Sequence, residues 1–412
     1  MPGRRQADIF DCQGKQHGLS AQAKEMDMKR TNHPGQKARL RSRKHIRCGL
    51  LLGLFAVAVL FLLFLRRKSF LHAQAPKVAA ARSIRSSVMV RTQSTQKDGG
   101  LAEAGLSMDE VPASYTYEPA ESGTIEKFWY TTNTYGLYGR AEKKIRKYAE
   151  VYLPYGYDPA EKYPIFYLMH GAGGSAERFF GSSLQPKELK YVVDNMIALG
   201  EIRPMIFVGL TYYPKQGQKR EADWDAEYTK GFVDELRRDV LPQVESHYST
   251  CAETVDEAGL RASRWQRAFG GFSMGSVTTY YRLCDCLDYF HSFLGMSGSL
   301  YWGPDAQESG TMADFGAQYI MNAVAAQGYT KDDFFLYSCV GSEDFALDVV
   351  EAQVRDEKNH PEFFSFGDDR TAANVVFEIG EGEVHHGSHG TTRYLYNALP
   401  IFSKLMEVPD EA

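Results

Sequence analysis

The chain has 412 residues, 43% of them hydrophobic and 24% charged, with a mean hydropathy of −0.38. Those globular proportions exclude a collagen-like, low-complexity or wholly disordered chain, and the presence of only one long apolar run excludes a polytopic membrane protein. The net charge of −5 is a cancellation: residues 1–100 hold 20 Lys+Arg against 5 Asp+Glu, and the remaining 312 hold 27 against 47.

A basic head thus precedes an acidic body, and the two belong in different surroundings. Within the head, Gly49 to Leu65 is an uncharged apolar run of 17 residues, at the short end of what spans a bilayer. Eight Lys/Arg lie in the 20 residues before it and six in the 20 after, a bias that puts the N-terminus in the cytoplasm. Beside a membrane span, the basic residues face anionic lipid headgroups rather than nucleic acid. The competing reading is a signal peptide cleaved after Ala75 in Ala73-Gln74-Ala75, which would release the body as a secreted protein. Arg66-Arg67-Lys68 stands against it, where the neutral end of a signal belongs. The head therefore divides into a basic cytoplasmic segment (1–48), a single transmembrane helix or signal core (49–65) and a flexible stalk (66–120) rich in Ala, Ser, Gln and Lys.

Beyond the stalk, strand and helix signals alternate. Lys147–Leu153 predicts a strand, stopped by Pro154. Pro164–Met169 is a continuous apolar run, as for a strand buried on both faces. A helix is expected over Glu188–Leu199, a strand over Met205–Leu210 and an amphipathic helix over Gly231–Tyr248. Ala268–Phe272 reads as a strand running into Ser273, with a helix after it to about Leu287. Further strands follow at Phe290–Met296, Phe334–Val340 and Asn374–Ile379, and a last helix at Thr391–Met406. This alternation predicts an α/β domain over 121–405 with a mostly parallel sheet, whose chemistry sits beyond the carboxyl ends of the strands. Cys251, Cys284, Cys286 and Cys339 in the body have no zinc spacing. Cys284-x-Cys286 is too close for an easy disulfide, so four buried or partly buried thiols are expected.

Gly271-Phe272-Ser273-Met274-Gly275 falls between a strand and a helix. The pattern G-x-S-x-G there is a nucleophile elbow, a turn so tight that the residues flanking the Ser must be small. A plain helix N-cap is the competing role for Ser273. A hydroxyl needs a base, and the base needs an orienting acid. Asp344 directly follows the predicted strand Phe334–Val340 and is the acid candidate, ahead of Glu343 and Asp348. The base candidates cluster in Glu383-Val384-His385-His386-Gly387-Ser388-His389-Gly390, and spacing alone does not choose among His385, His386 and His389. His385 and His389 would converge on a metal only in a helix, which the two glycines disfavour, so no metal or other cofactor is expected. An oxyanion hole requires backbone N–H groups. Met274 supplies one, and Gly171 or Ala172 in His170-Gly171-Ala172-Gly173-Gly174 the other. His170 reads as a structural loop histidine, and Ser299–Gly303 either as a lining of the acyl or sugar pocket or as core or surface aromatics.

Tyr152-Leu153-Pro154-Tyr155-Gly156-Tyr157-Asp158, then Lys162 to Gly171, resembles the entry of the esterase D-like α/β hydrolases. Ser263–Ala268 with Gly271–Gly275 is similar to their nucleophile region, and Asp288-Tyr289-Phe290 and Met296-Ser297-Gly298 to the strand after it. Within that group the chain looks most like carbohydrate esterase family one, the feruloyl and acetylxylan esterases. The resemblance implies an α/β-hydrolase fold, a metal-free Ser-His-Asp triad, and hydrolysis of esters on plant cell-wall polysaccharide. It implies Ser273 as nucleophile and Asp344 as acid. Counting back from Leu399-Pro400 places the base at His386, with His389 and His385 still open, since Val384-His385 stands where the family has Gly-Gly. The same scaffold also suits an acyltransferase, a siderophore-type small-ester hydrolase, or an inert surface carbohydrate-binding protein.

Overall fold

The computed structural model describes residues 106–135, 141–213, 225–309, 314–367, 373–385 and 388–407. The predicted span at 49–65, the basic segment before it and stalk residues 66–105 lie outside these. No described helix is long and apolar enough to cross a membrane.

The strands of the main sheet are β1 (Leu106–Ser107), β2 (Thr124–Asn133), β3 (Lys144–Leu153), β4 (Ile165–Met169), β5 (Ile206–Leu210), β6 (Arg267–Phe272), β7 (Ser292–Met296), β8 (Phe335–Gly341) and β9 (Val375–Gly380). They form one sheet in the order β1-β9-β8-β7-β6-β4-β5-β3-β2. Every neighbouring pair is parallel except β2 with β3 and β3 with β5. The order doubles back after β4, so β4 and β6 lie side by side at the centre. The main helices are α1 (Glu188–Ala198), α2 (Asp225–Glu235), α3 (Met274–Asp285), α4 (Phe315–Ala326), α5 (Leu347–Lys358) and α6 (Ser388–Leu405). This is the mostly parallel α/β sheet that the alternating signals predict, in the α/β-hydrolase arrangement that the resemblance implies.

Successive residues of a strand point to opposite faces, so an unbroken apolar run feeds two cores. In β4, Ile165, Tyr167 and Met169 join a cluster with Val208, Phe269, Leu236, Val240 and Val277. Phe166 and Leu168 join the other cluster, with Val192 and Met196 of α1 and Leu395, Leu399 and Phe402 of α6. Helix α2 starts at Asp225, before the expected Gly231, and continues through a π-helical turn (Leu236–Val240) into Leu241–His247. Its first turns carry polar residues, and the apolar face starts only at Phe232. β2, whose burial alternates only loosely, was not among the predicted strands.

One boundary differs from the sequence reading. Residues 106–120, assigned to a stalk ending at 120, are part of the folded body. Leu106 and Ser107 pair with Glu378 and Ile379 at the sheet edge. The buried Arg393 donates to the carbonyls of Met108 (2.9 Å) and Asp109 (3.2 Å), and Asn195 donates to those of Tyr115 and Tyr117. The segment has polar, stalk-like composition because its order comes from side chains far along the chain, not from a local pattern.

Candidate active site

The carboxyl ends of β4, β6, β8 and β9 converge at one edge of the sheet. Ser273 sits at the junction of β6 and α3 with φ +58° and ψ −118°, a backbone that non-glycine residues rarely adopt. Its neighbours explain why the turn is this tight. A Cβ on Gly271 would lie 2.3 Å from the carbonyl oxygen of Gly275, and one on Gly275 would lie 2.1 Å from that of Met169. The Ser273 N–H donates to Met296 O at 2.8 Å, tying the turn to β7. The Ser273 side chain makes no capping bond to the helix, so the N-cap role does not hold.

That side chain faces an imidazole. Ser273 Oγ lies 2.8 Å from His385 Nε2, and His385 Nδ1 lies 2.7 Å from Asp344 Oδ1. With a carboxylate accepting from Nδ1–H, Nε2 is left free to accept the serine proton. Asp344 is buried three residues past β8, and its Oδ1 also accepts from the Ala346 N–H at 2.7 Å. His386, which the Leu399-Pro400 count selected as base, lies outside the described residues. The ring that reaches Ser273 is that of its neighbour His385, one of the two alternatives that the sequence reading left open. The loop is tied on the β9 side, where Glu383 O accepts from the Glu343 N–H. His389 is taken up elsewhere: its Nδ1 lies 2.8 Å from Glu383 Oε1 and its side chain is half exposed. His385 and His389 therefore serve different carboxylates and do not converge.

The His385 ring is packed on several sides. Phe345 stacks on it at 4.0 Å between centroids, Phe272 lies at 4.9 Å, and Trp302 approaches edge-on at 6.0 Å. Trp302 belongs to the Ser299–Gly303 segment flagged in the sequence. Phe345, immediately after the acid and 65% exposed, was not singled out there, because one aromatic in a loop leaves no period to read.

Gly171 lies against the nucleophile, where a Cβ would come within 3.1 Å of Ser273 Cβ. Met274 is the first residue of α3, so its N–H is one of those that a helix leaves without an internal partner. The glycine loop is shaped by His170. Its ring accepts from Thr211 Oγ1 at 2.9 Å, donates through Nδ1 to Gly171 O at 2.6 Å, and stacks on Tyr213. The Tyr213 hydroxyl in turn accepts from Gly173 N–H. Burial pushes His170 down to about 4, against its bond to Gly171, with the charges of Lys147 and Arg178 adding to the effect. A neutral, fully bonded His170 is a structural support, as expected. Cys251, Cys284, Cys286 and Cys339 are free thiols.

The Esterase family ("Putative esterase") matches residues 144–364, over half of the chain. The chain belongs to the esterase family. Its sequence is 35% identical over 300 residues to endo-1,4-beta-xylanase Y of Acetivibrio thermocellus, covering 73% of this chain and 25% of that protein. An endo-1,4-beta-xylanase/feruloyl esterase of Xylanibacter ruminicola is 34% identical over 139 residues, 32% of this chain and 16% of that protein. The chain thus spans a quarter or less of the length of these curated relatives. Among solved structures, a mutant of the feruloyl esterase module of Clostridium thermocellum, complexed with sinapinate, is 33% identical with a TM-score of 0.63, covering 76% of this chain and all of that one. The resemblance to feruloyl esterases read in the sequence is matched by these relatives and by that solved structure.

Proposed function

We propose that this esterase hydrolyses aromatic, feruloyl-type esters on plant cell-wall polysaccharide through an acyl-enzyme carried by Ser273, His385 and Asp344. The observation that carries the reading is the His385 ring bridging Ser273 Oγ and Asp344 Oδ1. His385 Nε2 takes the hydroxyl proton as Oγ attacks the ester carbonyl, and Asp344 holds the resulting imidazolium through Nδ1–H. The N–H groups of Met274 and of Gly171 or Ala172 receive the oxyanion, each donor contributing ~3 kcal/mol to the barrier reduction. As the tetrahedral intermediate collapses, the carbon–oxygen bond to the sugar breaks and His385 returns the proton to the departing alcohol. Water then repeats the sequence and frees the acid. The aromatic wall of Phe345 and Trp302 favours a planar acyl group over acetyl, as does the sinapinate complex of the similar module. The chain acts, in this reading, on the outer side of a membrane that residues 49–65 span.

Ser273→Ala tests the chemistry. The variant should lose on the order of 10⁴-fold or more of kcat on a feruloyl ester and no longer label with a serine-directed phosphonate. Near-full activity in that variant would refute the mechanism.

A further inference from the structure

Arg178 lies outside the triad and beside it. Its guanidinium sits 5.1 Å above the ring of Phe272, the residue before the nucleophile, and the same ring packs on His385. It follows the glycine loop by four residues, close enough for its charge to act on His170. The side chain is half-buried, yet among the described residues no carboxylate pairs with it. The adjacent acid is committed to another partner, since Glu177 Oε1 lies 3.4 Å from Lys127 Nζ. The nearest support is a second cation: Lys187 Nζ donates to the Arg178 carbonyl at 2.8 Å. Burial alone pulls the Arg178 guanidinium below its ordinary value. An arginine taken partly out of water without a counter-ion costs the fold free energy, and a bound anion relieves that cost. Other buried arginines of the body have their guanidinium satisfied: Arg237 meets Asp288, Arg282 meets Asp285, and Arg264, which meets no carboxylate, donates to the carbonyls of Leu287, Phe290 and Asp333.

We propose that Arg178 is a substrate-binding residue that selects esters carrying a carboxylate near the scissile bond, which the planar fork of a guanidinium grips with two parallel hydrogen bonds. The proposal rests on the hydrolase reading above and narrows its substrate class. The carboxylate has two possible sources, a uronic acid on the alcohol side or a second acid group on the acyl side.

The test is kcat/KM of the 412-residue chain on two matched pairs of esters. Feruloyl glucuronate against feruloyl glucose probes the alcohol side, and 4-nitrophenyl hemisuccinate against 4-nitrophenyl butyrate probes the acyl side. The charged member of one pair should be preferred by on the order of ten- to a hundredfold. Which pair shows it identifies the side. Arg178→Gln should bring that ratio to near one, and Arg178→Lys should keep only part of it, because an ammonium lacks the fork. The preference should also shrink as salt rises to about 0.5 M, a measurement that needs no variant. Hydrolysis with no preference in either pair overturns the proposal alone, as does a preference that survives Arg178→Gln or is insensitive to salt. Hydrolysis of none of the four esters overturns the hydrolase reading with it.

Discussion

Glu357 lies fully buried in α5 with one hydrogen bond, from Gln353 Nε2 at 2.9 Å, and its other oxygen has no partner among the described residues. Burial pushes its carboxyl from 4.5 up to about 8, only partly offset by the Gln353 bond, with the neighbouring Asp356 charge adding to the rise. The sign follows from where the proton resides. Between pH 4.5 and 8 the folded state holds a proton that the unfolded chain releases, so stability falls as pH rises through that window and levels off above it. The full penalty, reached above pH 8, is on the order of 5 kcal/mol, and roughly 3 kcal/mol of it is already present at pH 7. Glu357→Gln keeps the shape and cannot ionise. The variant should match the wild type near pH 5 and exceed it at pH 8 and above. At 2–4 °C per kcal/mol for a domain of this size, that is a Tm gap on the order of 10 °C. Thermal unfolding from pH 5 to 9 measures it. Parallel Tm curves for the two proteins across this range would show that Glu357 does not carry the titration.

The same residue bears on the site, because Gln353 Oε1 accepts from the Leu300 N–H at 2.8 Å and so holds the segment that presents Trp302. The wild-type protein should therefore lose substrate affinity along with stability above pH 8.

Two further outcomes are expected. His385→Ala should lower kcat on a feruloyl ester by on the order of 10⁴-fold or more, while His389→Ala, whose ring answers to Glu383, should cost much less; steady-state kinetics on the two variants decides it. A chain cut to begin at residue 121 should melt well below one that begins at residue 106. Without residues 106–110, Arg393 loses the carbonyls of Met108 and Asp109, roughly 3 kcal/mol together and visible in urea unfolding, while the exposed Glu110 adds little because Glu383 still faces the guanidinium.

Those residues show where sequence patterns carry information and where they do not. β4 and the nucleophile turn were legible because their constraints are local. Five consecutive buried positions leave an unbroken apolar run, and the approach of Gly275 to Met169 O admits no side chain. β1 was not legible, because a strand of two residues has no period and its partners lie some 270 residues later, at Glu378 and Ile379. Arg178 was equally silent: an arginine without a counter-ion looks in sequence like any other surface cation.

The base shows how far a motif count carries. Counting back from the last helix assumes a constant distance between that helix and the catalytic loop. The structure fixes the loop at its other end. Gly380 closes β9, Gly382 turns the chain with φ +72°, and the Glu383 backbone then meets the end of β8. A Cβ on Gly341 would lie 2.1 Å from Glu383 O, and that same oxygen accepts from the Glu343 N–H at 3.1 Å. This glycine contact ties the base loop to the acid loop at residue 383. His385, two positions on, is then the histidine carried to Asp344. A count forward from the strand end, anchored on the paired glycines 341 and 380, follows the contact that holds the His385 loop in place.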